Sequence, residues 1–132
     1  MADTLAFTLV SPERQLAEMD ASMVQIPGVM GDFAALPAHA PFLTTLRPGV
    51  VTVHADGATH EYFVTGGFAE ISADAASVLA EQAVERPMLK RDFLDAKLAE
   101  AEEAAAQASD ETRTAANQRV NDFRSAIALL DL

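Results

Sequence analysis

The sequence has no cysteine and no tryptophan among its 132 residues, and it has only three histidines and one tyrosine. Without cysteine, neither disulfide bonds nor thiolate metal sites can form, and a reducing compartment is permitted. Basic residues are also scarce, with 9 Lys and Arg against 20 Asp and Glu and a formal net charge of −11. Nucleic-acid binding needs clustered basic side chains, so the composition argues against a nucleic-acid partner.

Long apolar runs are absent as well. No stretch approaches the roughly 20 apolar residues that span a bilayer. The N-terminal "MADTLAFTLV" carries an acidic residue where a signal peptide carries positive charge. We therefore expect a soluble cytosolic protein that reaches a membrane only through a partner. Half of the residues are apolar, which is enough to form a core.

The pattern from residue 5 to about residue 83 is that of short β-strands. "TLAFTLVS" and "ASMVQIPG" alternate, and the stretch from residue 49 to 81 contains four short runs separated by Asp56-Gly57, Gly66-Gly67 and Ala73-Asp74. Asp-Gly between apolar runs is a strong signal for a two-residue type I′ hairpin turn. The spacing of these turns predicts a small antiparallel sandwich or barrel.

The composition changes abruptly after Arg86-Pro87. Residues 88–132 contain no glycine and no proline and are rich in alanine, which favours helix. Apolar side chains recur at helical spacing in two series: Leu94, Leu98, Ala101, Ala105 and Ala108, then Ala116, Val120, Phe123, Ile127 and Leu130. We predict two antiparallel helices joined by a tight turn, with Ser109 or Asp110 as the N-cap of the second helix. An alanine-rich seam buries little area, so the hairpin is expected to be marginal by itself.

Residue types that carry chemistry are present without the spacing that chemistry needs. His39, His54 and His60 match no metal-binding motif, and none of the serines lies in G-x-S-x-G or S-x-x-K. The glycines are too few and wrongly placed to cradle a phosphate. We therefore predict an interaction protein without a catalytic, cofactor or metal site.

The loop "LPAHAP" at residues 36–41 places His39 between two prolines. Proline fixes φ and lacks a backbone donor, so this segment fits neither a helix interior nor a central strand. We predict a rigid, exposed connection, which suits plain turning or the presentation of a surface to a partner. The residues alone leave these two roles open.

Three segments occur in order ahead of the alanine-rich tail: "LVSPERQL", "VQIPGVMGDFAALPAHAPFLTTLRPGVV" and "YFVTGGFAEISADAASVLAEQA". In sequence and spacing they resemble the ε subunit of bacterial F-type ATP synthase, the counterpart of the mitochondrial δ subunit. The resemblance spans nearly the whole chain. It implies a mainly β fold with an α-helical tail: an N-terminal antiparallel β-sandwich of about ten strands at residues 1–86, followed by a C-terminal antiparallel two-helix hairpin at residues 87–132.

The resemblance further implies a non-catalytic central-stalk (rotor) subunit that links γ to the c ring. In the family, the hairpin folds against the sandwich or extends toward the catalytic β subunits and restrains ATP hydrolysis. Such a subunit is peripheral, lies at the cytoplasmic face of the bacterial inner membrane, and contacts the membrane only through the complex. The alternative is a free-standing β-sandwich adaptor with a helical binding arm.

Matched position by position, the resemblance assigns four interface residues. Ser11, His39 and Thr44 stand where the family faces γ, and Asp32 stands where the family approaches the polar loops of the c ring. We expect His39 and Asp32 to be exposed, with Thr44 on the same surface as His39.

The tail departs from the family pattern for binding ATP between the helices, I/L-D-x-x-R-A. Leu94, Asp95 and Ala99 match, whereas Leu98 stands at the arginine position. The bidentate phosphate donor is therefore missing, and we expect no ATP binding.

The charge of the last helix also departs from the pattern. Inhibition by extension uses basic residues against an acidic loop of the catalytic subunit. Between residues 110 and 132, Arg113, Arg119 and Arg124 stand against four acidic residues, a net charge of 3 − 4 = −1. The three arginines do not form one stripe, because Arg119 points away from the other two. We expect weak restraint of hydrolysis.

Overall fold

The computed structural model describes residues 4–130. The chain divides into two compact units, with the boundary between Pro87 and Met88. In the described part of the chain, the first unit contains ten strands and the second contains two α-helices. The strands are β1 (Leu5–Val10), β2 (Gln15–Ala21), β3 (Met23–Gly28), β4 (Gly31–Ala35), β5 (Phe42–Leu46), β6 (Gly49–Ala55), β7 (Ala58–Val64), β8 (Gly67–Ile71), β9 (Ala75–Ala80) and β10 (Ala83–Glu85). The helices are α1 (Arg91–Ala106) and α2 (Arg113–Leu130), and a 3-10 turn spans Arg86–Met88.

The ten strands form one sheet that folds over into a sandwich. Their order is β10-β7-β6-β3-β5-β8-β9-β1-β2, and β4 pairs with β3 beside this path. The pairings are antiparallel apart from β1 with β9, which is parallel. The predicted fold, a sandwich of about ten strands followed by a two-helix hairpin, is confirmed.

The core of the sandwich follows from strand alternation. In β1, Leu5, Phe7 and Leu9 are at most 1% exposed, whereas Ala6 faces outward. Other strands alternate in the same way, and their inward-facing side chains join one apolar cluster that includes Val51, Val53, Ile71 and Val78. Each fully buried side chain of this size contributes about 1.5–3 kcal/mol relative to exposure.

The Asp56-Gly57 turn is a two-residue hairpin, as predicted. Ala55 and Ala58 are directly paired, and both turn residues have positive φ, 51° at Asp56 and 73° at Gly57. Positive φ at both central residues defines the type I′ turn, whose twist matches that of the flanking strands.

Pro27 marks the point where β3 changes partners. β3 pairs with β6 only through residues 23–25, and at Gly28 it pairs with Leu46 of β5. Proline has no N–H to donate to a ladder, so it fits at the end of one pairing. Its carbonyl accepts from the Arg47 N–H at 3.0 Å, which ties β3 to the segment that follows β5.

The helical seam matches most of the predicted apolar series. Leu94 and Ala101 of α1 are buried, as are Val120, Phe123 and Leu130 of α2. Ala108 lies beyond the end of α1 and is half-buried. On α1, the fully buried seam positions are one leucine and one alanine, so the area that α1 contributes is small, as expected.

The prediction that Ser109 or Asp110 caps the second helix is wrong. α2 begins at Arg113, and the Thr112 carbonyl accepts the Ala116 N–H at 3.0 Å, which makes Thr112 the N-cap. The Ser109 N–H donates to Thr112 Oγ1 at 3.1 Å, and the Thr112 N–H donates to the Ser109 carbonyl at 3.1 Å. This reciprocal pair closes a separate turn ahead of the helix.

Candidate interaction surface

A row of outward-facing side chains crosses four neighbouring strands of the sandwich. Thr45 of β5 is paired with Phe68 of β8, Phe68 with Leu79 of β9, and Leu79 with Val10 of β1. Directly opposite residues in a sheet share a face, so these four side chains form one line, which we call the outer row. Phe68 and Leu79, at its centre, are 55% and 57% exposed.

The outer row faces away from the core because of strand alternation. The sequence neighbours Leu9, Ala69 and Val78 are fully buried on the inner face. Leu43, two residues before Thr45 in β5, also faces outward and is 66% exposed. A contiguous exposed patch of large apolar side chains is typical of a site of interaction with another protein.

Acidic side chains flank the outer row on the same face. Glu70 is paired with Leu43, Glu18 with Thr8, and Asp20 with Ala6. All three carboxylates belong to exposed residues. The surface therefore matches a partner that presents an apolar strip with basic side chains beside it.

Ser11 directly follows Val10 and so adjoins the outer row. It is half-buried, and its N–H donates to the Arg14 carbonyl at 2.9 Å in the turn between β1 and β2. The hydroxyl donates to the same carbonyl at 3.4 Å. This position agrees with a surface role for Ser11, which stays a prediction.

Thr44, which we expected on the same surface as His39, does not lie on an open surface, and its contact with γ stays a prediction. It is 9% exposed, shares the inward face of β5 with Leu46, and donates from Oγ1 to the Thr45 carbonyl at 3.2 Å. Side chains alternate along a strand, so the neighbours Leu43 and Thr45 face outward instead.

His39 lies in the loop before β5, at the opposite end of the sheet from Ser11. The loop is tied to the β8–β9 connection by the Ala38 N–H, which donates to the Ala73 carbonyl at 2.7 Å. The His39 N–H donates to the Leu36 carbonyl at 3.1 Å, and Ala38 has a φ of 67°. The imidazole is half-buried, less exposed than expected. The structure thus does not bring His39 and Ser11 together.

Asp32 lies beside an apolar hairpin tip. Its side chain is 72% exposed, as predicted, and is paired with Arg47. The β3–β4 turn next to it presents Met30, which is 91% exposed, and Val29, which is 50% exposed. The Val29 N–H donates to the Thr45 carbonyl at 2.9 Å, so the tip is held against β5.

Sequence reasoning missed Phe68, Leu79 and Leu43. A signal was present at Leu79, because "SVLA" is apolar at three successive positions, whereas a half-buried strand alternates. An apolar residue in the outward phase therefore marks Leu79 as an exposed apolar side chain of the sheet.

A further group of polar residues lies at a hollow on the sandwich. A hollow of about 370 Å³ on the sandwich is lined by Gln25, Asp32, Thr52 and apolar neighbours, and Gln25 Oε1 is paired with His54 Nε2 at 3.1 Å. Burial, with a smaller contribution from Glu85, raises the pKa of Tyr62, which keeps its hydroxyl protonated at neutral pH. Within residues 4–130, no group of three or more His, Asp or Glu side chains could hold a metal ion.

Comparison with known families decides the assignment of the first unit. The model of the ATP synthase, Delta/Epsilon chain, beta-sandwich domain matches residues 4–86. The chain belongs to this family. The resemblance seen in the sequence is thereby confirmed. In this member of the ATP synthase delta/epsilon family, the sandwich carries the outer row.

Relatives of the delta/epsilon family extend the match into the helical unit. The ATP synthase epsilon chain of Ruegeria sp. (strain TM1040) is 56% identical over 101 residues, which are 76% of this chain and 74% of the relative. Epsilon chain 1 of Cereibacter sphaeroides is 50% identical over 123 residues, 93% of each chain. The epsilon chain of Rhodobacter capsulatus is 46% identical over 95% of each chain.

Two solved mitochondrial ATP synthases contain chains of the same fold as this delta/epsilon family member. One is the OSCP/F1/c-ring structure from Euglena gracilis, with a TM-score of 0.76 at 20% identity, covering 98% of this chain and 83% of that chain. The other is the central stalk/c-ring structure from Tetrahymena thermophila, with a TM-score of 0.61 at 14% identity. Among the described residues, neither helix is long and apolar enough to cross a bilayer.

Proposed function

We propose that this chain is a non-catalytic rotor subunit of the F-type ATP synthase central stalk, and that its sandwich links γ to the c ring. The observation that carries the proposal is the outer row, whose central residues Phe68 and Leu79 are apolar and exposed on a sheet whose opposite face forms the core. Exposing Phe68 and Leu79 to water is unfavourable, and a permanent partner would remove that area from solvent.

The γ subunit is the partner that we assign to the outer row. An apolar strip flanked by the carboxylates of Glu18, Asp20 and Glu70 fits a partner surface with apolar and basic side chains. Ser11 extends this surface at the end of β1, and His39 provides a second contact at the other end of the sheet. A free-standing adaptor is the weaker alternative, because a relative that is called an ATP synthase epsilon chain matches 93% of this chain.

We assign the c ring to the tip formed by Val29, Met30 and Asp32. Arg47 neutralises Asp32, so this part of an acidic chain offers an apolar, nearly uncharged contact. Such a contact avoids the repulsion that unpaired carboxylates would meet near an anionic membrane surface. The chain then lies peripherally at the cytoplasmic face of the bacterial inner membrane, held there by the ring.

Titration calorimetry of the full chain with purified γ tests the proposal. We expect saturable one-to-one binding, which His39→Ala weakens about two- to ten-fold, because peripheral contacts usually contribute modestly. His60→Ala is the matched control, since His60 is an exposed imidazole in β7, away from the outer row. Absence of binding by the unaltered chain contradicts the assignment of γ. An equal loss in both variants contradicts the role of His39.

We further propose that the hairpin reaches the catalytic β subunit only weakly and binds no ATP. Arg113 is paired with Asp110 at 2.8 Å, and Arg124 with Glu102 at 2.8 Å. The Arg119 guanidinium lies 5.2 Å from the centre of the Phe123 ring. These contacts within the hairpin compete with any acidic partner, and Leu98 offers no phosphate donor.

Removal of the residues after Pro87 is expected to raise ATP hydrolysis by the reconstituted complex less than about two-fold, or about 0.4 kcal/mol in activation free energy. Steady-state hydrolysis by complexes that carry the full or the shortened chain measures this difference. ATP titrated onto the isolated full chain is expected to show no saturable binding below about 1 mM. A many-fold rise in hydrolysis, or saturable binding of ATP, contradicts this account of the hairpin.

A further inference from the structure

Among the described residues, an ion pair between Glu102 and Arg124 joins the two helices of the second unit. Arg124 Nη2 of α2 lies 2.8 Å from Glu102 Oε2 of α1, although the two residues are 22 positions apart in the chain. Other ion pairs in this unit, such as Arg91–Asp95, Lys97–Glu100 and Arg113–Asp110, join residues three or four positions apart. Those local pairs survive when the helices separate, whereas the Glu102–Arg124 pair must break.

The packing near this pair buries little apolar area on the α1 side. Glu102 directly follows Ala101, a buried seam position whose methyl group covers little area. Arg124 directly follows Phe123, which is buried. Most of the stability of a helix in a protein comes from packing of its apolar face, so contact between α1 and α2 is expected to stabilise both helices. A contact of modest strength can therefore shift the balance between a closed and an open hairpin several-fold.

We propose that Glu102 and Arg124 form an electrostatic clamp that sets the fraction of open hairpins and makes it sensitive to ionic strength. Their side chains are 47% and 58% exposed, so dissolved salt reaches and screens the pair. Closure also occupies the Arg124 guanidinium, which becomes available to an acidic partner only after opening. This last consequence rests on the proposed function, whereas the clamp itself belongs to the isolated chain.

Hydrogen exchange of the full-length chain tests the clamp. Glu102→Gln is expected to raise exchange rates of α1 and α2 amides about two- to five-fold at low salt, the range of a solvent-exposed ion pair. The difference is expected to vanish near 1 M salt, where the screening length falls to about 3 Å. Glu103→Gln is the matched control, because it removes the same charge one position along α1 and keeps the pair.

The exchanged pair Glu102→Arg with Arg124→Glu is expected to restore exchange rates to within about two-fold of the unaltered chain. Equal effects of Glu102→Gln and Glu103→Gln overturn the clamp, since they indicate a general effect of charge on α1. No effect of Glu102→Gln, or no rescue by the exchanged pair, overturns it as well. Faster exchange throughout the sandwich strands also counts against it. Because γ takes no part, failure of the rotor assignment leaves these outcomes unchanged.

Discussion

Gly67→Ala is expected to lower the free energy of unfolding by at least about 3 kcal/mol. A Cβ on Gly67 would lie 2.0 Å from the Leu79 carbonyl oxygen and 2.9 Å from the Ala80 Cα. These are backbone atoms of β9, which is paired on both sides and cannot move aside without breaking a ladder. The φ of 134° at Gly67 adds conformational strain for any other residue.

Urea unfolding of the full chain measures this loss, and Gly57→Ala is its matched control. Gly57 also has positive φ, 73°, but nothing lies within 4 Å of its added Cβ. Gly57→Ala is therefore expected to lower the free energy of unfolding by only about 1–2 kcal/mol, the cost of placing a residue with a Cβ in the left-handed conformation. Similar losses in the two variants would show that close approach to β9 is not what requires glycine at position 67.

Local parts of the fold could be predicted from the sequence, because their determinants are adjacent in the chain. Asp56-Gly57 specifies a hairpin by its own backbone preference. The alanine-rich composition after Pro87, without glycine or proline, predicts the helices. The parallel pairing of β1 with β9 has no such signal, since it joins residues about 70 positions apart. The change of partners at Pro27 likewise depends on β5, which follows in the chain.

The interaction surface was predictable only in part, because strand register decides which of two adjacent residues faces outward. A shift of one position reverses every side chain of a strand, which is why Thr44 is buried while Leu43 and Thr45 are not. The outer row needs three pairings to align, and two of them, β5 with β8 and β9 with β1, join strands that are far apart in the chain. Asp32 was easier to place, because its hairpin and glycines lie in one short segment.

Phe68→Asp is expected to weaken binding of purified γ at least about 100-fold, a loss of about 2.7 kcal/mol or more. Phe68 lies between Thr45 and Leu79 at the centre of the outer row, where a partner excludes water most completely. A carboxylate at that position has to be dehydrated without a cation opposite it. Leu79→Asp, on the neighbouring strand, is also expected to weaken the binding of γ.

Titration calorimetry with γ and urea unfolding of each variant separate binding from stability. Because Phe68 is 55% exposed before binding, its substitution is expected to change the free energy of unfolding by less than about 1 kcal/mol. Met30→Asp is the matched control, since it places the same charge on an exposed apolar residue that we assign to the c ring. Its affinity for γ is expected to stay within about two-fold of the unaltered chain. A partner that covers Phe68 is expected to distinguish these two substitutions. If Phe68→Asp keeps its affinity for γ, or if Met30→Asp loses as much affinity, then γ does not bind at the outer row.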